Sequence, residues 1–487
     1  MTRLGKGKCI KLVLIGGESR YVSQALLSFE VDLTVEDYCS SRTTQNWRML
    51  PLGSLGKWIG GGTPSKANPD FWSGGDIPWV SAKDMKRDRI DDAEDHITED
   101  AVAKSSAKLV PAGSVLVVVR SGILRHTLPV AVTEREVALN QDLKAITPNK
   151  DIKPQYLAYA LKAFEQELLQ TCTKSGTTVQ NIELPTFLRF EIPVAPIEEQ
   201  GSIVAEIETQ LSRLESGVRA LKRAQANLKR YRAAVLNAAC EGRLVPTEAE
   251  LARAEGRKYE SGAELLDRIP PGASKRQAGA QPRADQKGLP EGWTIAAVGQ
   301  LFECVVPNRD KPKSFTGTIP WVTLPDYSES ISIQASASGL GLTEAEAASN
   351  RAKIIPAGSV VMSCIGRFGL ASVLRQDSVI NQQLHAFLVP GWLCPEFIAY
   401  ALRTQRSFME SVATSTTIAY LNKQNCNNIP VPLPPLAEQR RIVAEVERRL
   451  SVVDELEATI AANLRRATRL RQSVLSRAFR GGSESTC

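Results

Sequence analysis

The side chains best suited to covalent or metal chemistry are spaced against it. Nine cysteines are scattered singly over 487 residues with no C-x-x-C pair. Neither a disulfide framework nor a thiolate cage is expected, and the thiols read as reduced and mostly structural. His96, His126 and His385 have neither a cysteine nor another histidine near them in the chain, which removes a zinc site of regular spacing. The phosphate-binding pattern G-x-x-x-x-G-K-[ST] is absent, as are H-E-x-x-H and G-x-S-x-G. Gly60, Gly61 and Gly62 run into Thr63 and Pro64, which suits a turn rather than a helix N-terminus over a nucleotide. The acids between Asp84 and Asp100 read as a solvated face. No nucleophile stands beside a base, so no catalytic residue and no metal ligand is nominated.

The chain is long enough for about three folding units, and 43% hydrophobic with 23% charged residues is an ordinary globular composition. Its longest aliphatic run, Val115 to Val119, falls far short of the ~18 residues a membrane helix needs. Cys9 to Gly17 is apolar after a basic start, but Lys11 interrupts it and no clean cleavage pattern follows, so a secretory signal is not expected. The expectation is a cytoplasmic protein.

One unit occurs twice, at a displacement near 240. Ile77-Pro-Trp-Val80 recurs as Ile319-Pro-Trp-Val322, and Pro111-Ala-Gly-Ser-Val115 as Pro356-Ala-Gly-Ser-Val360. Asn140-Gln141 recurs as Asn381-Gln382, and Pro154 to Leu161 as Pro395 to Leu402. Ile197 to Glu208 (IEEQGSIVAEIE) matches Leu436 to Glu447 (LAEQRRIVAEVE). Each copy has a globular part, 47–196 or 291–435, that mixes β-rich runs (Ser114 to Val119; Ser359 to Met362) with helical stretches (Tyr156 to Gln170; Glu396 to Val412). That pattern predicts an α+β class. Residues 244–290 read as a linker, flexible over Pro271 to Gly288. Residues 1–46 have no counterpart in the second copy.

A long helix follows each globular part, over 197–243 and 436–481. Ile207, Leu211, Leu214, Val218, Leu221, Gln225, Leu228, Arg232 and Val235 recur at the alternating spacing of a coiled-coil seam. The second seam is Val446, Leu450, Val453, Glu457, Ile460, Leu464, Ala467, Arg471 and Val474. Residues 197–218 carry five acids and one base, 219–243 seven bases and one acid, 436–457 six acids and four bases, and 458–481 six arginines and no acid. A parallel pair would set the two basic halves together, whereas an antiparallel pair sets each beside an acidic half. The predicted architecture is therefore two globular parts at the ends of an antiparallel coiled-coil rod, with pseudo-two-fold symmetry. An intermolecular coiled coil, or helices packed on their own domains, is the alternative. The net charge of +7 resides in helices and linker, because the first globular part has 18 bases and 18 acids and the second 10 and 10. Bulk charge thus supports nucleic-acid binding only weakly.

A tandem pair of such domains, each ending in a proline-rich stretch that enters E-Q-x-x-I-V-A-E-[IV]-E, resembles the specificity subunit of type I restriction-modification systems. The residues are Ile192 to Glu208 and Val431 to Glu447, with Trp47 to Pro64 and Val235 to Val245 also similar to that family. The resemblance implies that 47–196 and 291–435 are target recognition domains. Each would read one half of a bipartite, asymmetric site in double-stranded DNA. It further implies that the helices set the gap and dock two methyltransferase (M) subunits, to which restriction (R) subunits add. S-adenosylmethionine, ATP and Mg would then be handled by those partners, with no cofactor on this chain. A self-contained DNA-modifying or DNA-cleaving enzyme, or a coiled-coil adaptor that never touches DNA, are the other readings.

On that reading, residues shared by both copies hold a scaffold and the differing ones read bases. Pro111, Gly113, Trp79, Pro356, Gly358 and Trp321 are scaffold. Arginine and lysine can bond guanine O6 and N7, and asparagine and glutamine can pair with adenine. This nominates Lys83, Lys86, Arg87, Arg89, Arg120 and Arg125 in the first domain, and Asn308, Arg309, Lys311, Lys313 and Arg367 in the second. Thr177 and Thr178 beside Lys174, and Thr416 and Thr417 beside Asn422, Lys423 and Gln424, are candidates for phosphate contacts, which orient without specifying.

Overall fold

Val115–Val118 and Val360–Ser363 are runs of four buried residues, and each forms the middle strand of a five-stranded sheet. Burial on both faces is why neither run alternates with charged residues. The computed structural model describes residues 46–174, 179–269, 288–307, 311–327, 330–414 and 418–480. The N-terminal extension up to residue 45 and the linker stretch 271–287 lie outside the described residues. Among the described residues two compact units are present: one holds those up to Lys222 together with Ala461–Arg480, the other those within Arg223–Ile460. Among the described residues no helix is long and apolar enough to cross a membrane.

The strands of the first unit are β1 (Arg48–Pro51), β2 (Gly56–Gly60), β3 (Ile77–Val80), β4 (Arg89–Ile90), β5 (Asp95–Ile97), β6 (Leu109–Val110), β7 (Val115–Val118), β8 (Arg120–Ser121), β9 (Val130–Thr133), β10 (Val137–Leu139), β11 (Leu143–Pro148), β12 (Thr173–Lys174), β13 (Gln180–Ile182) and β14 (Glu191–Val194). They form sheets ordered β2-β11-β7-β9-β4, β5-β3-β10-β6, β12-β13-β8 and β1-β14. Helices α1 (Glu99–Lys104), α2 (Pro154–Ala163), α3 (Glu165–Cys172), α4 (Leu184–Arg189) and the first half of α5 (Ile197–Cys240) complete the unit, together with a terminal helical stretch described below.

The second unit begins with the rest of α5, then α6 (Glu248–Glu255) and α7 (Gly262–Leu266). Its strands are β15 (Thr294–Ala297), β16 (Glu303–Val305), β17 (Ile319–Val322), β18 (Ser332–Ile333), β19 (Gly341–Leu342), β20 (Val360–Ser363), β21 (Ala371–Leu374), β22 (Val379–Ile380), β23 (Leu384–Leu388) and β24 (Pro430–Leu433). The sheet orders are β16-β23-β20-β21-β18, β19-β17-β22 and β15-β24, which repeat the first unit's five-stranded and two-stranded sheets strand for strand and its four-stranded sheet without the outer β6 strand. Its β6 pairing and its three-stranded sheet are echoed by the bridges Ile355 to Ser378, Ile365 to Tyr420 and Thr414 to Tyr420. Helices α8 (Val298–Leu301), α9 (Glu344–Ser349), α10 (Pro395–Thr404), α11 (Arg406–Val412) and α12 (Lys423–Asn427) lead to α13 (Leu436–Arg480), whose last turns belong to the first unit.

The shared motifs are scaffold. Trp79 and Trp321 are buried at equivalent places, in register with Ala138 and Val379 of parallel neighbours. Gly113 (φ 78) and Gly358 (φ 82) sit in the left-handed region that glycine enters freely. Their N–H groups reach Thr133 O and Leu374 O, both at 2.8 Å. The glutamine of the E-Q motif is a buried clamp. Gln200 accepts from the Lys153 N–H (2.7 Å) and donates to Ala195 O (2.9 Å), and Gln439 accepts from the Cys394 N–H (3.0 Å) and donates to Pro434 O (2.9 Å). Each joins the end of the proline-rich strand to the start of α2 or α10.

Several expectations change. The helices expected over 156–170 and 396–412 each break, at Phe164 (φ −98, ψ 13) and Gln405 (φ −87, ψ 16). The linker expected over 244–290 contains α6 and α7, each started by a capping box, Thr247 with Glu250 and Ser261 with Glu264. Asp84 is not part of a solvated face but is buried.

Along α5 and α13, Ile207, Leu211, Leu221, Val235, Val446, Leu450, Val453, Ile460 and Ala467 are buried, while Leu214, Val218, Leu228, Leu464 and Val474 are half-buried. Gln225 and Arg471 are exposed. Near the end of α13 the buried stripe moves to Leu475 and Phe479, which share a core with Tyr156, Ile203, Ile207 and Leu211. The heptad fails there because the helix packs on a globular core, which follows the 3.6-residue turn rather than the 3.5-residue seam. In the second unit Val235, Ala239 and Cys240 share a core with Ile442, Val446 and Leu450. Two polar interruptions of the seams meet there: Arg232 bonds Glu457 (3.1 Å) as well as Asp454 (2.5 Å). In the first unit the basic end of α13 shares a core with the acidic half of α5. Arg465, Arg466, Arg469 and Arg477 have no ion-pair partner among the described residues, and Arg471 and Arg480 pair with Asp88 and Glu167 of the globular part.

Candidate nucleic-acid interface

In each unit backbone hydrogen bonds tie three strand ends together. Asn140, just after β10, donates its N–H to Val80 O at the end of β3 (2.9 Å). The Asp142 carbonyl accepts from Val119 (2.8 Å) and Arg120 (3.2 Å), just after β7. In the second unit Asn381 donates to Val322 O (3.1 Å) and Gln383 O accepts from Cys364 (3.0 Å). Each asparagine side chain accepts the N–H two residues on, at 3.1 Å, closing an Asx turn. The repeated Asn-Gln pair therefore marks a junction. From it leave the segments that carry the candidate readers: Lys83 to Arg89 after β3, Arg120 and Arg125 after β7, and Arg367 after Cys364.

The segment after β3 is shaped by Asp84, whose Oδ2 accepts from the Ser81 N–H and hydroxyl, both at 2.8 Å, and whose Oδ1 accepts from the Glu94 N–H (3.0 Å). Asp326 repeats this after β17, with Thr323 N–H (2.5 Å) and hydroxyl (2.9 Å) on Oδ2 and the Ala337 N–H (2.5 Å) on Oδ1. Both loops are thus held by a carboxylate inside them, which leaves their outer side chains free to differ.

Five nominated cations already hold carboxylates. Lys83 bonds Glu94 (2.6 Å) and Asp95 (3.0 Å), which raise its ammonium above the usual lysine range. Arg87 bonds Asp91 (3.0 Å) and Arg120 bonds Asp142 (3.0 Å). Lys174 bonds Glu183 (2.7 Å) and lowers that carboxyl below its ordinary value. Arg89 reaches Glu134 (3.2 Å) and Glu208 of α5 (3.3 Å). Exposed pairs such as Arg87 with Asp91 are worth ~0–1 kcal/mol and are screened by salt, so a phosphate or a base edge can displace the carboxylate at little cost, whereas Asp142 Oδ1, the oxygen that Arg120 holds, is buried. Lys86, Arg125, Lys311, Lys313, Arg367 and Lys423 are exposed with no ion-pair partner among the described residues.

The sheet β12-β13-β8 brings Lys174 and Arg120 to one ledge, where Asn181 is the register partner of both. Lys83, Lys86 and Arg87 lie off that sheet, in the segment after β3. Asn422 caps α12 by accepting the Asn425 N–H (2.8 Å), so its amide oxygen has a structural role, while Lys423 and Gln424 are exposed in the first turn. Thr177, Thr178, Asn308, Arg309, Thr416 and Thr417 lie outside the described residues.

Sequence reasoning missed two kinds of residue here. Asn181 is exposed beside Arg120, a neighbour only the strand register reveals. Val179 and Ile418, one repeat apart, are 39% and 61% exposed. The repeated T-T-[VI] was the signal for them, and only its threonines were used.

His385 is buried with Nδ1 3.1 Å from Cys426 Sγ, a contact across 41 residues that spacing does not show. Burial, then Lys423, pushes its pKa down to about 4, so the ring is neutral at pH 7. Among the described residues no group of three or more His, Cys, Asp or Glu side chains could hold a metal ion.

A family model described as the type I restriction modification DNA specificity domain matches residues 44–222 and 290–466. Over 153 residues the chain is 46% identical to the EcoR124I/EcoR124II specificity subunit of Escherichia coli, covering 31% of this chain and 38% of that relative. It is 28% identical over 181 residues to the MjaIX specificity subunit of Methanocaldococcus jannaschii, covering 37% of this chain and 41% of the relative. Against the EcoKI specificity subunit of Escherichia coli K12 the identity is 21% over 458 residues, covering 91% and 90%. A solved chain described in work on assembly and conformational transition of the type I R-M system shares the fold at TM-score 0.64 and 21% identity, covering 89% of this chain and 98% of that one. The HsdS subunit from Thermoanaerobacter tengcongensis does so at TM-score 0.51 and 20% identity, covering 91% and 98%. With the specificity-domain model matched twice and one strand topology built twice, the chain belongs to the type I restriction-modification DNA specificity family.

Proposed function

We propose that this chain is the DNA-reading subunit of a type I restriction-modification complex, with 47–196 and 291–435 each recognising one half of a bipartite, asymmetric site. The observation that carries this reading is one junction of three strand ends built twice, from which unlike side chains leave: Lys83, Lys86, Arg87, Arg120 and Arg125 in one copy and Arg367 in the other, with Lys311 and Lys313, ahead of β17, added on sequence grounds. A symmetric reader would repeat those side chains as faithfully as it repeats its tryptophans and glycines. Lys174, Lys423 and Gln424 orient the duplex through phosphates. Thr177, Thr178, Asn308, Arg309, Thr416 and Thr417 belong to the same proposal on sequence grounds.

The proposal includes α5 and α13 as an antiparallel coiled coil that sets the gap between half-sites, with pseudo-two-fold symmetry. Two features of the second unit support the direction: Arg232 reaches Asp454 and Glu457, and Glu248, further along, reaches Arg441 and Glu438. A helix of 44 residues is ~66 Å long, a usable ruler. Two methyltransferase subunits dock on this frame and restriction subunits join them. Those partners carry S-adenosylmethionine, ATP and Mg, and this chain acts with them in the cytoplasm without catalysing a step itself.

Methylome sequencing of the source cell with and without this gene tests the reading. A bipartite motif with a fixed gap should vanish when the gene is removed. Its persistence would refute the assignment.

A further inference from the structure

The second halves of both long helices carry an excess of positive charge, which neither the reading of half-sites by the globular parts nor the docking of methyltransferase subunits by itself explains. In the last turns of α13, residues 458–480 include six arginines and no acid. Arg471 and Arg480 are held by Asp88 and Glu167. The other four, Arg465, Arg466, Arg469 and Arg477, are exposed and have no ion-pair partner among the described residues. At 100° per residue they fall within about 120° of arc. Ala467, Leu475 and Phe479, which are buried, lie on the other side of the helix.

We infer that this arc grips the sugar-phosphate backbone of the duplex without regard to sequence; the inference rests on the DNA-reading role proposed above. Between these arginines the arc carries the small side chains Ala458, Ala462, Ser473 and Ser476, with Thr459 at its edge, and in its last turn Arg480, which is held by Glu167. A protein-docking face needs apolar or aromatic anchors at its centre, and none is present. Arginine with serine and small spacers is what phosphate contact requires, since guanidinium and hydroxyl groups donate and alanine allows close approach. The second unit repeats the pattern on the second half of α5. Arg223, Lys229 and Arg230 are exposed there, with no ion-pair partner among the described residues. Each recognition domain therefore shares its unit with a basic helical arc, which supplies affinity while the domain supplies specificity.

The test is a salt titration of duplex binding by the full chain in complex with its modification subunits, using a duplex with the methylome-derived site and a scrambled one. With Arg465, Arg466, Arg469 and Arg477 all changed to Gln, the slope of log K against log[salt] should fall by roughly 3 to 4, at about 0.9 per phosphate contact. Both duplexes should weaken by the same factor and the methylated motif should stay the same. The four Arg→Lys changes should restore most of the slope, and Arg471→Gln, on the side facing Asp88, should leave it unchanged. An unaltered slope in an intact complex would overturn the inference. So would loss of modification subunits at an unchanged melting temperature, which would make the arc a protein-docking face. If the wild-type complex did not prefer its site over the scrambled duplex, the DNA-reading role itself would fail, whatever the slope.

Discussion

Glu199 and Glu438 stand one repeat apart, each beside a buried clamp glutamine, yet one is in solvent and the other is sealed. Glu199 reaches the Trp47 indole only at 3.4 Å. Glu438 is fully buried, accepting from the Trp293 indole (2.9 Å) and the Glu248 N–H (2.8 Å), and burial raises its pKa. The cover is α6, whose Glu248 is itself buried between Arg441 and Arg257, both at 2.6 Å. The first unit shares a core with its helices and adds surface charge in place of such a cover: Arg89 reaches Glu208, and Asp88, which also holds Lys162 (2.8 Å), reaches Arg471 (3.5 Å). Two copies of one topology thus add different polar contacts to the same apolar packing, and the difference can be measured.

The sharpest contrast is Glu438→Ala against Glu199→Ala. The first strands a buried indole N–H and a buried amide and should cost about 2–5 kcal/mol in urea unfolding. The second should stay within about 0.5 kcal/mol. Equal losses would erase the distinction between the two fastenings. Next in size is Asp88→Ala, which leaves the largely buried Lys162 ammonium without its acceptor and should cost about 1–2 kcal/mol at low salt. That loss should shrink near 1 M salt, where the Debye length is about 3 Å, whereas the Glu438→Ala loss should not. A salt-independent Asp88→Ala effect would count against a charge-based latch.

The smallest effect is on acid. Hydrogen bonds from Arg448, outweighing burial, and then from Arg449 hold the Glu445 carboxyl at about 2, against 4.5 in the unfolded chain. Its stabilisation is therefore complete above pH 4.5 and is lost as pH falls toward 2. Glu445→Gln should flatten that part of the stability profile.

Much of this architecture was legible because the chain states it twice. The I-P-W-V, P-A-G-S-V and Asn-Gln matches fix the β3, β7 and β10 positions and their counterparts, and the strand topology follows them. The E-Q motif was visible as an identity, but its clamp was not, because the Lys153 and Cys394 amides it accepts from lie 47 and 45 residues away. The candidate readers were harder. Arginine and lysine were picked by type, and type does not reveal that Arg120 already holds Asp142 or that Arg89 holds Glu208, 119 residues on. Charge counting along the helices is coarse for a related reason: a sum over a half-helix ignores which side of the helix each arginine occupies. The α6 cap was missed because a polar stretch was read as linker, although Thr247 and Glu250 had the capping-box spacing.

The central claim is that the two globular parts read different halves of one site independently. Exchanging residues 47–196 for the corresponding domain of a relative with a different site, followed by methylome sequencing, tests it most directly. One half of the methylated motif should change, with the other half and the gap retained. A change in both halves, or in neither, would contradict the claim.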